Sequence, residues 1–277
     1  MVLEGHEDAV TCVRFDEATV VTGSADRSAR TWDLMTGVQT GVYRTTAPVT
    51  TLRHTDTALF VGSANGLVKQ WSSKTGECVH ILAHAHAPVQ GLWATDSELY
   101  VVAQDSARIY DLRTGTARVE IGEPSSAYFV DATRNELFLA GAGGQVAVWD
   151  MVHGRKKRVL RTEGAVALTT LACDAARVVA GDETGNVTVW ERERDGARRT
   201  LSDHRGRVNA LQMDGRKLVT ASADNTIKVW DISTGQRQYT LLGGTLQHRA
   251  NGPFVVVVVL LVVAWRKARK HNTGLCV

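Results

Sequence analysis

Two sets of side chains in this 277-residue chain could do chemistry. His6 is followed by Ser24 and Asp26, and His204 by Ser222 and Asp224. A histidine, a carboxylate and a hydroxyl can together activate an oxygen nucleophile, the imidazole taking the proton and the carboxylate orienting it. The doubling argues against that reading. A catalytic centre is assembled once, whereas a set that recurs at matching places in two repeats belongs to the scaffold. Other chemistry is thin. His84 and His86 stand two apart, so on a strand they point the same way, but the sequence offers no third metal ligand. Gly141 to Gly144 (GAGG) is not a phosphate-cradling glycine pattern, because Val146 takes the place of its last glycine, and it reads as a hairpin. Asn186-Val187-Thr188 matches a glycosylation acceptor but falls in a strand-like run. The chain has no P-loop, no H-E-x-x-H, no G-x-S-x-G and no cysteine-rich metal motif. No catalytic residue, metal or cofactor is expected.

The elements that carry these residues repeat. Trp32, Trp71, Tyr110, Trp149, Trp190 and Trp230 are 39, 39, 39, 41 and 40 residues apart. Gly37, Gly76, Gly115, Gly154, Gly196 and Gly235 keep step with them, at the place where a tight hairpin needs φ > 0. A third register, Asp16, Asp56, Asp96, Asp131, Asp174 and Asp214, precedes strand-like runs. The first repeat predicts strands at Val10 to Phe15, Thr19 to Gly23 and Ser28 to Trp32, and the sixth predicts an outer strand at Arg237 to Leu242. A period near 40 with four short strands per unit is the mark of an all-β propeller.

The residues His6 with GSAD and Trp32-Asp33, Trp149-Asp150, and His204 with ASAD and Trp230-Asp231 resemble the WD-repeat β-propeller family. The resemblance covers roughly residues 3 to 243. Phe15 to Asp26 (FDEATVVTGSAD) and Met213 to Asp224 (MDGRKLVTASAD) are similar to the propellers of F-box/WD-repeat proteins. The resemblance implies a propeller over 1–243, with repeats at about 5–42, 43–82, 83–119, 120–159, 160–200 and 201–243 and a degenerate or missing seventh blade. It also implies two buried hydrogen-bonded chains. One joins His6, Thr22 or Ser24, Asp26 and Trp32; the other joins His204, Thr220 or Ser222, Asp224 and Trp230. Burial of an imidazole and a carboxylate is tolerable only when they are paired, and the indole N–H needs an acceptor. His84 or His86 would fill the same histidine slot in the third repeat.

The implied function is a non-catalytic protein-interaction domain, similar to the substrate-recognition half of a ubiquitin-ligase receptor. The alternative is a general assembly scaffold. Partners are then proteins or peptides, phosphorylated ones included, with Arg27, Arg205 and Arg207 on the top loops as contacts. Ligase partners require an F-box supplied elsewhere. The residue before each turn aspartate is Ala25 or Ala223 rather than arginine, which counts against a strong phosphate reader.

Composition agrees. At 44% hydrophobic, the chain can bury a substantial core, and a net charge of +3 makes no polyanion-binding field, so no nucleic-acid partner is expected. RKKR at Arg155 to Arg158 reads as a solvated outer edge. Cys12, Cys78, Cys173 and Cys276 show no C-x-x-C spacing, and the opening MVLEGHED has no apolar signal run. A cytoplasmic or nuclear protein is expected. Residues 244–277 break the pattern with Phe254 to Trp265 (FVVVVVLLVVAW) and a basic cluster after it. These twelve residues would make a helix of about 18 Å, too short for a 30 Å bilayer core. They read as a β-segment covering the open edge of the sixth blade, as a C-terminal membrane anchor, or as sequence foreign to the domain.

Overall fold

The computed structural model describes residues 2–83, 87–123, 126–131, 134–192 and 198–242. Among the described residues there is no helix. Twenty-four strands form six antiparallel four-stranded sheets, each sheet keeping chain order. The sheets are the blades of a propeller and span 10–44, 49–83, 89–121, 127–161, 168–202 and 208–242. The first repeat's strands are Val10–Phe15, Thr19–Ser24 and Ser28–Asp33, the last two one residue longer than predicted, and Arg237–Leu242 is the outer strand of blade 6. Residues 243–277, with the apolar run and Cys276, and the His84–His86 pair lie outside the described residues.

The turn chemistry explains why the chain reverses where it does. Gly37, Gly76, Gly115, Gly154 and Gly235 all take φ between 62 and 74°, closing the turns into the outer strands, while Gly196 lies outside the described residues. In five of the repeats the residue after the aromatic caps that same turn. Asp33, Asp111, Asp150 and Asp231 each accept two backbone N–H groups through Oδ1, and Ser72 does so through Oγ. The residues of the third register precede strands but do not share one role. Asp16, Asp174 and Asp214 do cap the turn before the second strand. In blades 2 and 3, however, the cap is Thr55 or Thr95, and Asp56 and Asp96 stand one residue further on. A short side chain caps only from the first turn position, whichever oxygen it carries.

Blades join through two devices that recur. A valine at the start of one blade's inner strand packs on a glycine of the previous blade: Val49 on Gly23, Val89 on Gly62 and Val208 on Gly181. Beside it, a hydroxyl of the earlier blade lies within hydrogen-bond distance of a carbonyl of the later one. Thr11 Oγ1 is 2.7 Å from the Val49 carbonyl, Thr50 Oγ1 2.6 Å from that of Val89, and Thr169 Oγ1 2.5 Å from that of Val208. Ser126 makes the same bond to Leu168. Blade 3 has Gln90 at this place, and the ring of Tyr128 lies over Gly91 instead. Between blades 4 and 5 a buried ion pair, Arg192 with Glu136, adds to the apolar contact, and Lys157 holds the other Glu136 oxygen at 2.7 Å. Cys12 and Cys173 are buried in blades 1 and 5, and Cys78 is exposed.

A Cβ built on Gly62 would stand 2.7 Å from Val89 Cγ1, 2.8 Å from Thr51 Cγ2 and 2.9 Å from Val89 Cβ. Gly62→Ala therefore drives blades 2 and 3 apart and should cost about 1–3 kcal/mol, as overpacking does. Gly76→Ala, with no atom within 4 Å of the built Cβ but φ +70°, costs only its backbone strain. The check is thermal unfolding of both variants. A Gly62→Ala midpoint equal to that of the wild type would show that the seam is not close-packed.

Candidate functional site

In blade 1 the indole Nε1 of Trp32 lies 2.9 Å from Thr22 Oγ1, which lies 2.7 Å from His6 Nε2, and His6 Nδ1 lies 2.8 Å from Asp26 Oδ2. Blade 6 repeats the geometry with Trp230, Thr220, His204 and Asp224 at 2.9, 2.7 and 2.8 Å. One proton assignment satisfies every group around a neutral imidazole. The indole donates to the threonine, the threonine O–H donates to Nε2, and Nδ1–H donates to the carboxylate.

The aspartate ends the chain and starts a loop. Asp26 Oδ2 also accepts the Glu7 N–H, and Oδ1 accepts the backbone N–H and hydroxyl of Ser28. Asp224 does the same with Arg205, Thr226 N–H and the Thr226 hydroxyl. Burial pushes both carboxyls up, but these bonds outweigh it and hold both well below the usual carboxylate range.

The hydroxyl in each chain is Thr22 and Thr220, not Ser24 and Ser222. Trp32 pairs with Val20 across the ladder, which leaves Thr22 in reach of its indole; Ser24 lies two residues, or about 7 Å, further along the strand. Ser24 and Ser222 sit beside the chains instead. Each accepts the N–H of its turn aspartate and donates to a carbonyl, Asp8 or Gly206.

The set resembles a hydrolytic triad in composition only. Thr220 is fully buried, and its oxygen already accepts the Trp230 N–H. No substrate atom could reach that oxygen. Blades 2 to 5 lack the hydroxyl altogether, with Val61, Val101, Leu139 and Ala180 at its place. Trp149 turns its N–H to Glu123 at 2.6 Å, Trp190 to the Arg161 carbonyl at 3.3 Å, and Trp71 packs edge-on against Tyr43. Among the described residues no cluster of metal-ligating side chains exists.

What the two chains position is the loop surface at one end of blades 1 and 6. Arg27 follows Asp26 in the turn, and Arg205 and Arg207 lead into the blade 6 inner strand. All three are exposed, and none is ion-paired among the described residues. Arg27 takes φ 66°, a conformation filled by glycine at the matching turns of blades 2, 4 and 5 and by Asn225 in blade 6. RKKR opens the outer strand Arg155–Arg161, where Arg155, Lys156 and Lys157 face Asp150, Glu123 and Glu136.

Comparison with known proteins adds three findings. A family model for the WD domain, G-beta repeat, matches residues 1–33 and 197–231, which hold the two complete chains. The chain is 27% identical over 257 residues to mitochondrial division protein 1 of Neurospora crassa, covering 88% of this chain and 35% of that protein, so it spans about a third of that relative's length. It is 23% identical over 239 residues to the serine-threonine kinase receptor-associated protein of Dictyostelium discoideum, covering 82% and 81%. Among solved structures, the WD40 propeller domain of Doa1 superposes with a TM-score of 0.71 at 16% identity, covering 87% of this chain and 84% of that one. The computationally designed Ika8 protein gives 0.68 at 24%, covering 90% and 93%.

Thr220→Val leaves the Trp230 N–H and the His204 imidazole without their shared partner and should cost about 1–3 kcal/mol. Asp224→Asn tests the charge. Its carboxyl titrates below the ordinary 3.8 in the fold, so it adds stability above that pH and loses it as the pH falls further. The variant should unfold at a lower temperature than wild type at neutral pH, and the gap should close below about pH 3.8. A gap that stays constant through acid would assign the effect to packing rather than to the carboxylate.

Proposed function

We propose, from the premise that this chain is a member of the WD-repeat β-propeller family, that it is a non-catalytic protein-interaction domain whose top loops take an acidic stretch of a partner protein. The observation that carries this reading is Arg27. A non-glycine residue in the left-handed region is held at a cost of roughly 1–2 kcal/mol, and such strain persists where a side chain is wanted for something else. Arg205 and Arg207 supply further unpaired guanidinium groups at the same end of blade 6. Guanidinium recognises carboxylate or phosphate by two parallel bonds, which a surface loop can offer without a pocket.

The finer form of this reading is the substrate-recognition half of an F-box/WD ubiquitin-ligase receptor, for which Phe15 to Asp26 and Met213 to Asp224 are the support. The relatives named above carry other names, a mitochondrial division protein and a kinase receptor-associated protein. Ala25 and Ala223 also leave the turns without the additional arginine that a phosphate reader would use. The general assembly domain is therefore the form we favour.

The experiment is binding of an immobilised peptide array to the full chain, with acidic, phosphorylated and neutral members. Binding should prefer acidic members, weaken with added salt, and fall at least about tenfold in Arg205→Glu with Arg207→Glu, as loss of charge-assisted bonds requires. Arg27→Gly should raise the unfolding midpoint while weakening the same peptides. Salt-independent binding that ignores all three substitutions would remove the top-loop reading. A phosphate-dependent preference would bring back the ligase-receptor form.

A further inference from the structure

Each junction between successive blades is filled by its own apolar cluster. Five clusters join blades 1 with 2, 2 with 3, 3 with 4, 4 with 5 and 5 with 6. No cluster joins blade 6 with blade 1 among the described residues. The positions that should make one are present. At the junction of blades 5 and 6, blade 5 contributes Val179, Val187, Val189 and Leu201, all buried. The ladder registers place Val219, Ile227, Val229 and Leu241 at the same positions of blade 6. There, Ile227 is buried, but Val219 and Val229 are half-covered and Leu241 is 44% exposed.

The other side of the gap shows the same loss. Blade 6 offers Val208 and Met213 to blade 5, and the matching residues of blade 1 are Val10 and Phe15. Val208 is 0% exposed, whereas Val10 is 42% and Phe15 39% exposed. The hydroxyl clasp is missing too, because Asn209 stands where Thr169 and Thr50 reach across, and among the described residues no side-chain bond joins it to Val10. One seam of the ring is thus an apolar slot with two partly uncovered walls.

We infer that residues 254–265 of the same chain, FVVVVVLLVVAW, occupy the seam between blades 6 and 1 and cover both walls. The chain leaves blade 6 at Leu242, the end of the strand that carries the exposed Leu241. Residues 243–253 then provide eleven residues of connection, about 36 Å when extended, more than the width of a seam between sheets that pack about 10 Å apart. Valine-rich sequence suits a pleated, half-buried surface and matches the valine walls in chemistry. A tethered segment also meets the slot at millimolar effective concentration, which a free partner does not. A second copy would set blade 1 of one chain against blade 6 of another, and that head-to-tail contact leaves a further open seam at each end.

The test uses the full chain throughout. Phe15→p-benzoylphenylalanine places a photocrosslinker on the wall of blade 1, and irradiation followed by tryptic mapping should join residue 15 to the peptide 250–266 of the same molecule. Val257→Lys with Val259→Lys should then raise amide exchange at least tenfold in 10–15 and 237–242, with 98–111 unchanged. Three results would overturn the inference. One is a crosslink between two molecules in isotope-mixed samples, which seats a second copy in the slot. Another is flotation of the chain with phosphatidylcholine–phosphatidylserine vesicles while exchange at 10–15 ignores the lysines. The third is absence of both the crosslink and the exchange change.

Discussion

The seam between blades is the contact on which the rest of the molecule depends. An isolated four-stranded antiparallel sheet has two apolar faces and cannot cover either, so each blade is stable only against its neighbours. The repeated valine-on-glycine contact sets how close the sheets come, and the hydroxyl beside it sets their height along the axis. Only a residue without a side chain admits Val49 or Val208 so near the neighbouring backbone. A threonine or serine then bonds a carbonyl of the next blade's inner strand at a part-buried place, where a lost partner is costly. Where the pattern departs, at Gln90, the chain compensates by packing Tyr128 over Gly91.

On this framework the histidine–threonine–aspartate–tryptophan chains convert buried polarity into loop position. Each link is a donor meeting an acceptor, from an indole deep in the sheet to a carboxylate at its rim. The carboxylate fixes two segments at once, the turn holding Asp26 or Asp224 and the loop leading into the same blade's inner strand. Loop geometry is thereby set from inside the blade, down to the backbone of Arg205, whose N–H the Asp224 carboxylate accepts. The same groups in a solvent-reachable cleft would be proton-transfer machinery. Burial of the hydroxyl, with its oxygen already taken by an indole, separates the two cases.

Periodicity carried most of this in the sequence. Spacings of 39 to 41 residues between aromatics marked six repeats and left a seventh blade open, and the described glycines in step with them mark turns that do take positive φ. Those signals were legible because each rests on a steric demand that few residue types meet. Hydroxyl choice was not, since Thr22 and Ser24 lie on one face of one strand and only the ladder register says which meets the indole. Nor was the seam: Thr11 and Thr50 look like ordinary strand residues until a second blade stands beside them. Arg192 and Glu136 are 56 residues apart, and nothing local announces a pair. The aspartate after Trp32, Trp149 and Trp230 was visible as a motif, and its physical job, capping the next turn, became clear only from its bonds.

The distribution of the two complete chains follows from the same constraint. Blades 2 to 5 are packed on both faces, and in them the hydroxyl position has become valine, leucine or alanine. An apolar residue serves there because neighbours on either side already hold the sheet. Among the described residues, blades 1 and 6 each have one face without a blade against it. They retain the polar chain that ties the third strand, through its tryptophan and the second strand's threonine, to the loop before the first strand. Internal hydrogen bonding there replaces part of the rigidity that a neighbour gives elsewhere. The two blades that the WD-domain family model matches are thus the two that flank the seam.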